Sequence, residues 1–307
     1  MEIRKNARSF SFVTFITAGI LLSGCGISTA TDYEKELLTF KKNRVTSLKS
    51  RSGYLNLVGL HWIAEGKSQF GSDPGNEFVF PKEFPANFGS VTKKGDRFIF
   101  NFRETVLLDS AEKISNFSFS TEALDHTFSW HSYQWFVIKR GENYAIRLKD
   151  FENPDMDPKF EIPYYPIDVS WKIKGSFEAY PPGKNRTISN IFGHPIEQPA
   201  IGIVSFLVGG KSFSLEAHME GPKRTIIFMD GTTGNETYSG GRELYFDAPD
   251  GDGNVIVDFN KAFNFPCAFN LFTTCPVPPP INRLKINITA GEKVFKKSHA
   301  TIPGCRL

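Results

Sequence analysis

Acidic, basic and amide side chains near one unusual stretch of the chain are the first candidates for chemistry. That stretch, residues 254–283, combines an alternating strand, two cysteines and a run of prolines. Three carboxylates near it are candidates for the acid and base of a hydrolase: Asp230, Asp258 and Glu292. Five polar residues that interrupt structural patterns are predicted to bind a ligand: Arg147, Tyr238, Arg242, Asn260 and Asn264.

The same side chains also fit a purely structural interpretation. Asp258 and Asn260 are two residues apart, so on a continuous strand both would project from one face. We expect Asp258 to pair with Arg242 or Arg147. We expect Asn260 and Asn264 to tie the cysteine loop through hydrogen bonds to its backbone. Such an internal clamp explains the pattern without a ligand, and we favour it over a pocket.

Familiar catalytic and metal-binding motifs are mostly absent from the sequence. It contains no GxSxG or HExxH motif, and Ser205 lies inside an apolar strand. Asp250, Asp252 and Asn254 begin like a calcium loop, but Val255 occupies the position of its glycine. We therefore interpret that segment as a solvated hairpin and expect neither a metal site nor a cofactor.

Residues 1–25 resemble a bacterial lipoprotein signal peptide. A basic start precedes an apolar run from Phe10 to Leu22, which is too short to span a membrane comfortably. The Leu-Ser-Gly-Cys sequence that ends at Cys25 resembles the lipobox, and this resemblance implies that Cys25 carries acyl chains such as palmitate. Gly26 in place of Asp favours the outer membrane by the same resemblance. The alternative is an ordinary secretory signal with a chance cysteine.

The remaining cysteines are expected to lie in an oxidising compartment, where disulfides persist. Cys267 and Cys275 are the natural pair, and closing so short a loop contributes about 2.5 kcal/mol on the chain-entropy estimate. A pairing of Cys305 with either of them is the alternative. A zinc site is disfavoured, because no CxxC spacing or neighbouring histidine completes four ligands.

Composition and patterning favour a mainly β protein. The 307 residues are 40% hydrophobic, with 30 Phe against 4 Met, which favours sheets packed through aromatic faces. A net charge of +3 offers no broad positive surface, so we expect no nucleic-acid partner. Short alternating segments between turn residues predict an antiparallel β-sandwich or barrel-like sheets in two lobes, with one N-terminal helix.

The limits of the domains are predicted from the positions of turn residues and prolines. After the signal peptide we predict a tether at residues 26–32 and an N-terminal helix and β lobe at 33–160. The helix is expected near residues 31–50, capped by Asp32. Prolines crowd the segment 153–168 and predict the lobe boundary. A C-terminal β lobe at 161–297 and a tail at 298–307 complete the chain.

Three hairpins are predicted from glycine-containing turns. The first surrounds residues 141–143, the second surrounds Gly209 and Gly210, and the third surrounds residues 231–234. In the second arm of the first hairpin, Tyr144, Ile146 and Leu148 are expected to face one side and Arg147 the other.

Several ordered sequence blocks resemble one bacterial family. They include FMDGTTGNETYSGGRELYFDAP, VDFNKAFNFPCAFNLFTTCPVPPPINRL, GYLNLVGLHWIAEGKSQFGS and YYPIDVSW. These blocks look like the signature of the family called domain of unknown function 1684. Phe265 departs from the family's second proline, and YSGGREL departs from its usual Tyr-Gly-Ala-Gly-Arg run. The family has no settled function, so the resemblance implies the extent of the domain and no activity.

Two functional classes follow from these observations. The first is a lipid-anchored cell-envelope protein, facing the periplasm, that binds a small molecule, a glycan or an envelope protein. The second is a periplasmic hydrolase that uses carboxylates as acid and base. Two carboxylates facing one open cavity would favour the enzyme, whereas carboxylates consumed by internal ion pairs would favour the binding protein.

Overall fold

The computed structural model describes residues 31–295. The predicted signal peptide with Cys25, most of the predicted tether, Cys305 and the predicted tail lie outside the described residues. Within residues 31–295, no helix has the length and apolar character that crossing a membrane requires.

The predicted N-terminal helix is present as α1, Asp32–Lys49. Its N-cap is Thr31, which corrects the expectation that Asp32 would cap it. The Thr31 hydroxyl accepts a hydrogen bond from the Glu34 backbone N–H, and the Glu34 carboxylate accepts one from the Thr31 backbone N–H. This reciprocal capping box satisfies two backbone donors at once, which a cap at Asp32 would not do in the same register.

The N-terminal lobe is a curled sheet whose strand order is β1-β9-β8-β7-β5-β4-β2-β3, with β6 paired to β5. All pairs are antiparallel except β2 with β3. The strands are β1 Leu57–Ile63, β2 Gly66–Gly71, β3 Phe78–Val79, β4 Gly89–Lys94, β5 Arg97–Leu108, β6 Glu112–Ser120, β7 Thr127–Trp130, β8 Tyr133–Arg140 and β9 Asn143–Asp150.

Alternation along these strands builds an aromatic core. In β5 every second residue from Phe98 to Phe102 points inward, and these rings pack against Phe128 and Trp135 of β7 and β8. Burying such rings contributes both apolar area and preferred tilted or edge-on contacts. The inner face of the sheet is therefore closed by its own side chains.

The C-terminal lobe is a second antiparallel sheet, ordered β16-β10-β12-β13-β14-β15-β17, with β11 paired to β12. Its strands are β10 Lys172–Ala179, β11 Asn185–Ser189, β12 Pro195–Val208, β13 Lys211–Glu220, β14 Lys223–Phe228, β15 Arg242–Phe246, β16 Asn254–Asp258 and β17 Phe263–Asn264. The mainly β fold with two curled sheets and one helix is confirmed. The strands of the two sheets lie on either side of residues 151–171, and the limits of the lobes remain predictions.

Two of the three predicted hairpins are confirmed. β8 and β9 pair around residues 141–142, and β12 and β13 pair around Gly209 and Gly210. Both of these glycines have positive φ, 56° and 76°, which the tight turn requires. In β9, Tyr144, Ile146 and Leu148 face the core, as predicted.

The third hairpin prediction is wrong in its second arm, which was predicted to end at Tyr238. β14 ends at Phe228, residues 229–241 form a loop that contains the predicted turn, and β14 pairs antiparallel with β15. Inside this loop, the Asp230 carboxylate accepts hydrogen bonds from the backbone N–H and hydroxyl of Thr232. The turn residues thus lie within a longer loop that joins two paired strands.

Candidate functional site

Asp230 and Arg242 form a buried ion pair inside the C-terminal lobe. Both side chains have 0% exposure, and Nη2 of Arg242 lies 2.7 Å from the Asp230 carboxylate. The guanidinium also donates to the backbone carbonyls of Ile288, at 3.0 Å, and Ala290. Both charges are therefore neutralised by partners inside the lobe.

Glu292 is the centre of a second internal network. Its carboxylate accepts hydrogen bonds from Nε of Arg44 at 3.2 Å, from the Tyr164 hydroxyl at 3.1 Å and from the Asn264 backbone N–H at 2.7 Å. Burial raises the pKa of Glu292, while Arg44 opposes that rise. The side-chain amide of Asn264 donates to the Lys293 carbonyl, so this asparagine ties the C-terminal segment rather than the cysteine loop.

Asp258 joins α1 to the C-terminal lobe. The Tyr33 hydroxyl donates to its carboxylate at 2.8 Å, and so does the Asn260 backbone N–H at 3.1 Å. This second bond ends β16 at Asp258 and starts a 3-10 turn, Phe259–Lys261, so the prediction that Asp258 and Asn260 share one strand face is wrong. The predicted pairing of Asp258 with Arg242 or Arg147 is also wrong.

Asn260 and Tyr238 are placed by packing around these networks. The Asn260 amide donates to the Asp168 carbonyl at 2.8 Å, so it fixes the segment before β10 and not the cysteine loop. Tyr238 packs against the small apolar cluster that contains Cys267 and Cys275. These two cysteines form a disulfide, with their Cα atoms 6.2 Å apart, and this agrees with the predicted pairing.

A cleft of about 210 Å³ lies between the two lobes. Of the predicted catalytic and ligand-binding residues, all of which lie in the described range, Arg147 lines this cleft and the others do not. The ionisable groups that line it are Arg44, Tyr54, Arg140, Arg147, His218, Glu220, Glu243 and Tyr245. The structure therefore brings together a set of residues different from the one predicted.

The N-terminal lobe supplies a cationic wall. Arg140 and Arg147 lie on the paired strands β8 and β9, with Arg147 on the face opposite the aromatic core. Arg147 is 8% exposed, its Nε has no hydrogen-bond partner, and no carboxylate among residues 31–295 forms an ion pair with either arginine. Burial, followed by the neighbouring Arg140, lowers the pKa of Arg147 to about 10. A buried guanidinium with an open donor favours an anion beside it.

The C-terminal lobe supplies an acidic wall. His218 and Glu220 project from one face of β13, and Glu243 and Tyr245 project from the same face of β15, because Thr225 of β14 pairs with both His218 and Tyr245. Glu243 is 7% exposed, and its Oε1 has no hydrogen-bond partner. Burial, reinforced by the Glu220 carboxyl within hydrogen-bonding reach, raises the pKa of Glu243 well above its usual range. A neighbouring carboxyl group adds to the effect of burial, and both favour the neutral form of Glu243.

The disulfide loop closes the third side of the cleft. Thr273, Thr274 and Cys275 line it, and Nε of Arg140 donates to the Thr274 hydroxyl at 2.8 Å. The Asn270 amide donates to the Leu57 carbonyl of β1, also at 2.8 Å. The loop that belongs to the C-terminal lobe is therefore fastened to the N-terminal one.

Sequence reasoning missed most of the cleft, although part of its signal was visible. Along β13, Glu216, His218 and Glu220 alternate with apolar residues, which marks a polar face on an otherwise buried strand. Glu243 and Tyr245 repeat that spacing in β15. Residues 31–295 contain no group of three or more His, Cys, Asp and Glu side chains placed to hold a metal ion.

Comparison with known proteins supports the family resemblance. Residues 159–293 match the family described as "Protein of unknown function (DUF1684)", which confirms the predicted family over this part of the chain. No curated protein matches the chain. The chain is similar to the solution NMR structure of an uncharacterized protein of Haloarcula marismortui, with 26% identity over 45% of this chain and 79% of that one, at a TM-score of 0.37.

Proposed function

We propose, for a chain whose residues 159–293 match a family without an assigned activity, that it is a lipid-anchored binding protein of the bacterial cell envelope. Its ligand is a small molecule that carries a carboxylate, phosphate or sulfate group. The ligand lies in the cleft between the two lobes, with its anionic group against Arg140 and Arg147. The observation that carries this proposal is the pair of inward-facing guanidinium groups without a carboxylate partner.

The cost of burying these arginines is the physical basis of the proposal. A buried cation without a counter-charge is destabilising, and its cost is offset when an anion completes the pair. In this fold the other buried arginine, Arg242, is already paired at 2.7 Å. Arg147 is not paired, and it lines a cavity rather than a sealed core. An anion entering the cleft supplies the missing partner.

The dimensions and charge of the cleft favour a small ligand over a macromolecule. Its volume of about 210 Å³ is below the range usual for drug-sized ligands. The cationic wall faces an acidic wall, so the site offers no extended positive track for a nucleic acid. A single anionic group beside the arginines fits this arrangement.

The test of anion binding uses purified protein with residues 26–307 and no lipid. Isothermal titration with inorganic phosphate, sulfate and acetate should show binding of at least one anion. Arg147→Gln should weaken it at least about tenfold, since a charge-assisted hydrogen bond contributes about 1.5–3 kcal/mol. The matched control is Arg103→Gln, which removes an exposed arginine of the same lobe. Equal affinity in wild type and Arg147→Gln, or no binding of any anion, would refute the proposal.

The anchor is tested separately. It rests on the lipobox resemblance that ends at Cys25, within a segment outside the described residues. Cys25→Ser should move the protein from the membrane fraction to the soluble envelope fraction, since several acyl chains on one residue each contribute about 0.8 kcal/mol per buried methylene. Continued membrane association of the variant would show that another feature holds the protein there.

A hydrolase is the second candidate, and one observation favours it. Glu220 and Glu243 meet at the edge of the cleft with the pKa of Glu243 raised, and such pairs act as acid and base in hydrolytic enzymes. Asp230, Asp258 and Glu292, the carboxylates first considered, are engaged in internal networks. Turnover of envelope glycan fragments or peptides that Glu243→Gln abolishes would establish the enzyme. Stoichiometric binding without turnover would favour the binding protein.

A further inference from the structure

The two walls of the cleft carry opposite charges that do not neutralise one another. Arg140 and Arg147 stand on the N-terminal lobe, and Glu220 and Glu243 stand on the C-terminal lobe. Within the described residues none of these four side chains forms an ion pair with another. Opposed charges held apart by a cavity are complementary to a ligand that carries both charges at a matching distance.

We propose that the cleft binds a zwitterionic ligand, an amino acid or an amino-sugar acid, whose carboxylate lies against Arg140 and Arg147 and whose ammonium lies between Glu220 and Glu243. This inference rests on the proposed anion-binding function and adds the second pole of the ligand. It assigns to the carboxyl pair a role that anion binding alone does not use.

The carboxyl pair is suited to an ammonium group because of its proximity. Burial and the neighbouring Glu220 carboxyl raise the pKa of Glu243, so this carboxyl group keeps its proton. An ammonium group that binds beside the two carboxyl groups replaces this proton, because it brings a positive charge and hydrogen-bond donors. Glu243 can then ionise, and its proton leaves for solvent as one cation binds. The unpartnered Oε1 of Glu243 gains a donor in the same step.

The other groups around Glu243 do not already supply that cation. Arg44 of α1 faces it, but this guanidinium is engaged by the Glu292 carboxylate at 3.2 Å and by the Asn264 carbonyl at 2.7 Å. Tyr245 on the same strand is neutral, and burial with the two nearby carboxyl groups raises its pKa further. Burial lowers the pKa of His218 on β13, which keeps that ring neutral.

The experiment compares ω-amino acids, from glycine to 6-aminohexanoate, with the acids of equal length that lack the amino group. Titration calorimetry in two buffers of different ionisation enthalpy measures affinity and proton release together. We expect one chain length to bind at least about tenfold more tightly as the amino acid, with release of up to one proton per ligand. Glu243→Gln should abolish both the advantage of the amino acid over the plain acid and the proton release.

Matched variants separate this outcome from a folding defect. Glu220→Gln changes the exposed member of the pair and should reduce the advantage of the amino acid in the same direction. Glu178→Gln, an exposed glutamate of β10, should leave both affinities unchanged. If plain acids bind as tightly as amino acids, or no proton is released, the zwitterion inference fails and the anion-binding function stands. If neither series binds, both fail.

Discussion

Two regions of this molecule bury an arginine and a carboxylate, and they differ in whether those charges meet. Inside the C-terminal lobe, Asp230 and Arg242 are 2.7 Å apart, and neither is exposed. Across the cleft, Arg147 and Glu243 are nearly as buried, yet they stand on opposite walls and form no ion pair with each other. An unpartnered polar atom is common to both regions, since Nε of Arg242 lacks a hydrogen-bond partner just as Nε of Arg147 does. Residue type and burial are alike in the two regions, so these properties do not distinguish a structural charge from a functional one.

Whether the arginine and the carboxylate form an ion pair depends on which lobes supply them. The Asp230 loop and the first residue of β15 belong to one lobe, so folding that lobe brings the pair together and backbone carbonyls complete its hydrogen bonds. The cleft residues come from two lobes that meet through α1 and the disulfide loop. Whether a buried charge meets its counter-charge thus separates the clamp from the candidate binding site.

The largest effect is expected from breaking the clamp. Arg242→Met leaves the Asp230 carboxylate buried without a counter-charge, and this should lower the free energy of unfolding by about 3–5 kcal/mol in denaturant titrations. As a control, Lys35→Met removes an exposed partner of Asp32 and should change stability by less than about 0.5 kcal/mol. Equal effects of the two substitutions would mean that the clamp is not structural.

Opening the disulfide should have the next largest effect and should involve both regions. Replacement of Cys267 and Cys275 by Ala removes a short covalent loop, and we expect a loss of about 2.5 kcal/mol in unfolding free energy. Because the hydroxyl of Thr274 in this loop accepts a hydrogen bond from Arg140, the affinity of the cleft for an anion should also fall. Reduced wild-type protein is the matched comparison. A stable variant with unaltered affinity would show that the loop does not shape the cleft.

The pH dependence of stability should locate the raised pKa in the cleft. The unfolded chain loses the Glu243 proton near the ordinary pKa of about 4.5, whereas the folded protein keeps it to higher pH. The unfolding free energy should therefore fall as pH rises above about 4.5, by at most about 1.4 kcal/mol per pH unit, until the folded pKa is passed. Glu243→Gln should flatten that slope. Parallel curves for wild type and variant would mean that Glu243 is ionised in the folded state.

The smallest effect on stability is expected for replacement of Arg147, which resembles Arg242 in residue type and burial. Arg147→Met removes a guanidinium that has no ion-pair partner, so the change in unfolding free energy should be below about 1 kcal/mol, and it can be stabilising. Anion binding should nevertheless be lost. A destabilisation as large as that of Arg242→Met would place Arg147 among the structural charges and contradict the contrast between the two regions.

Local patterns predicted much of the fold because they depend on neighbours in the chain. Alternation in β9 placed Tyr144, Ile146 and Leu148 in the core, and Gly209 with Gly210 marked a hairpin correctly. The same reasoning failed where a side chain redirected the backbone. Asp230 is hydrogen-bonded within a loop that runs through the predicted second arm of a hairpin, and Asp258 ends a strand that was predicted to continue.

The candidate site was mostly beyond such reasoning. Arg147 was predicted to contact a ligand and does line the cleft, but Arg140, Glu220 and Glu243 were not identified. The alternating polar residues of β13 were visible in the sequence, yet a polar strand face is usually a solvated one. The alternation of residues along a strand does not predict which of its faces is covered by another lobe.

The sequence by itself determined the β class, the helix near the N-terminus, the pairing of Cys267 with Cys275 and the family resemblance over residues 159–293. These features follow from side-chain alternation, turn residues and short loops, all of which act over a few residues. Tertiary structure decided that Asp230 pairs with Arg242 while Arg147 faces a cavity. That decision depends on distances between segments far apart in the chain, because an ion pair forms or fails over a few ångströms.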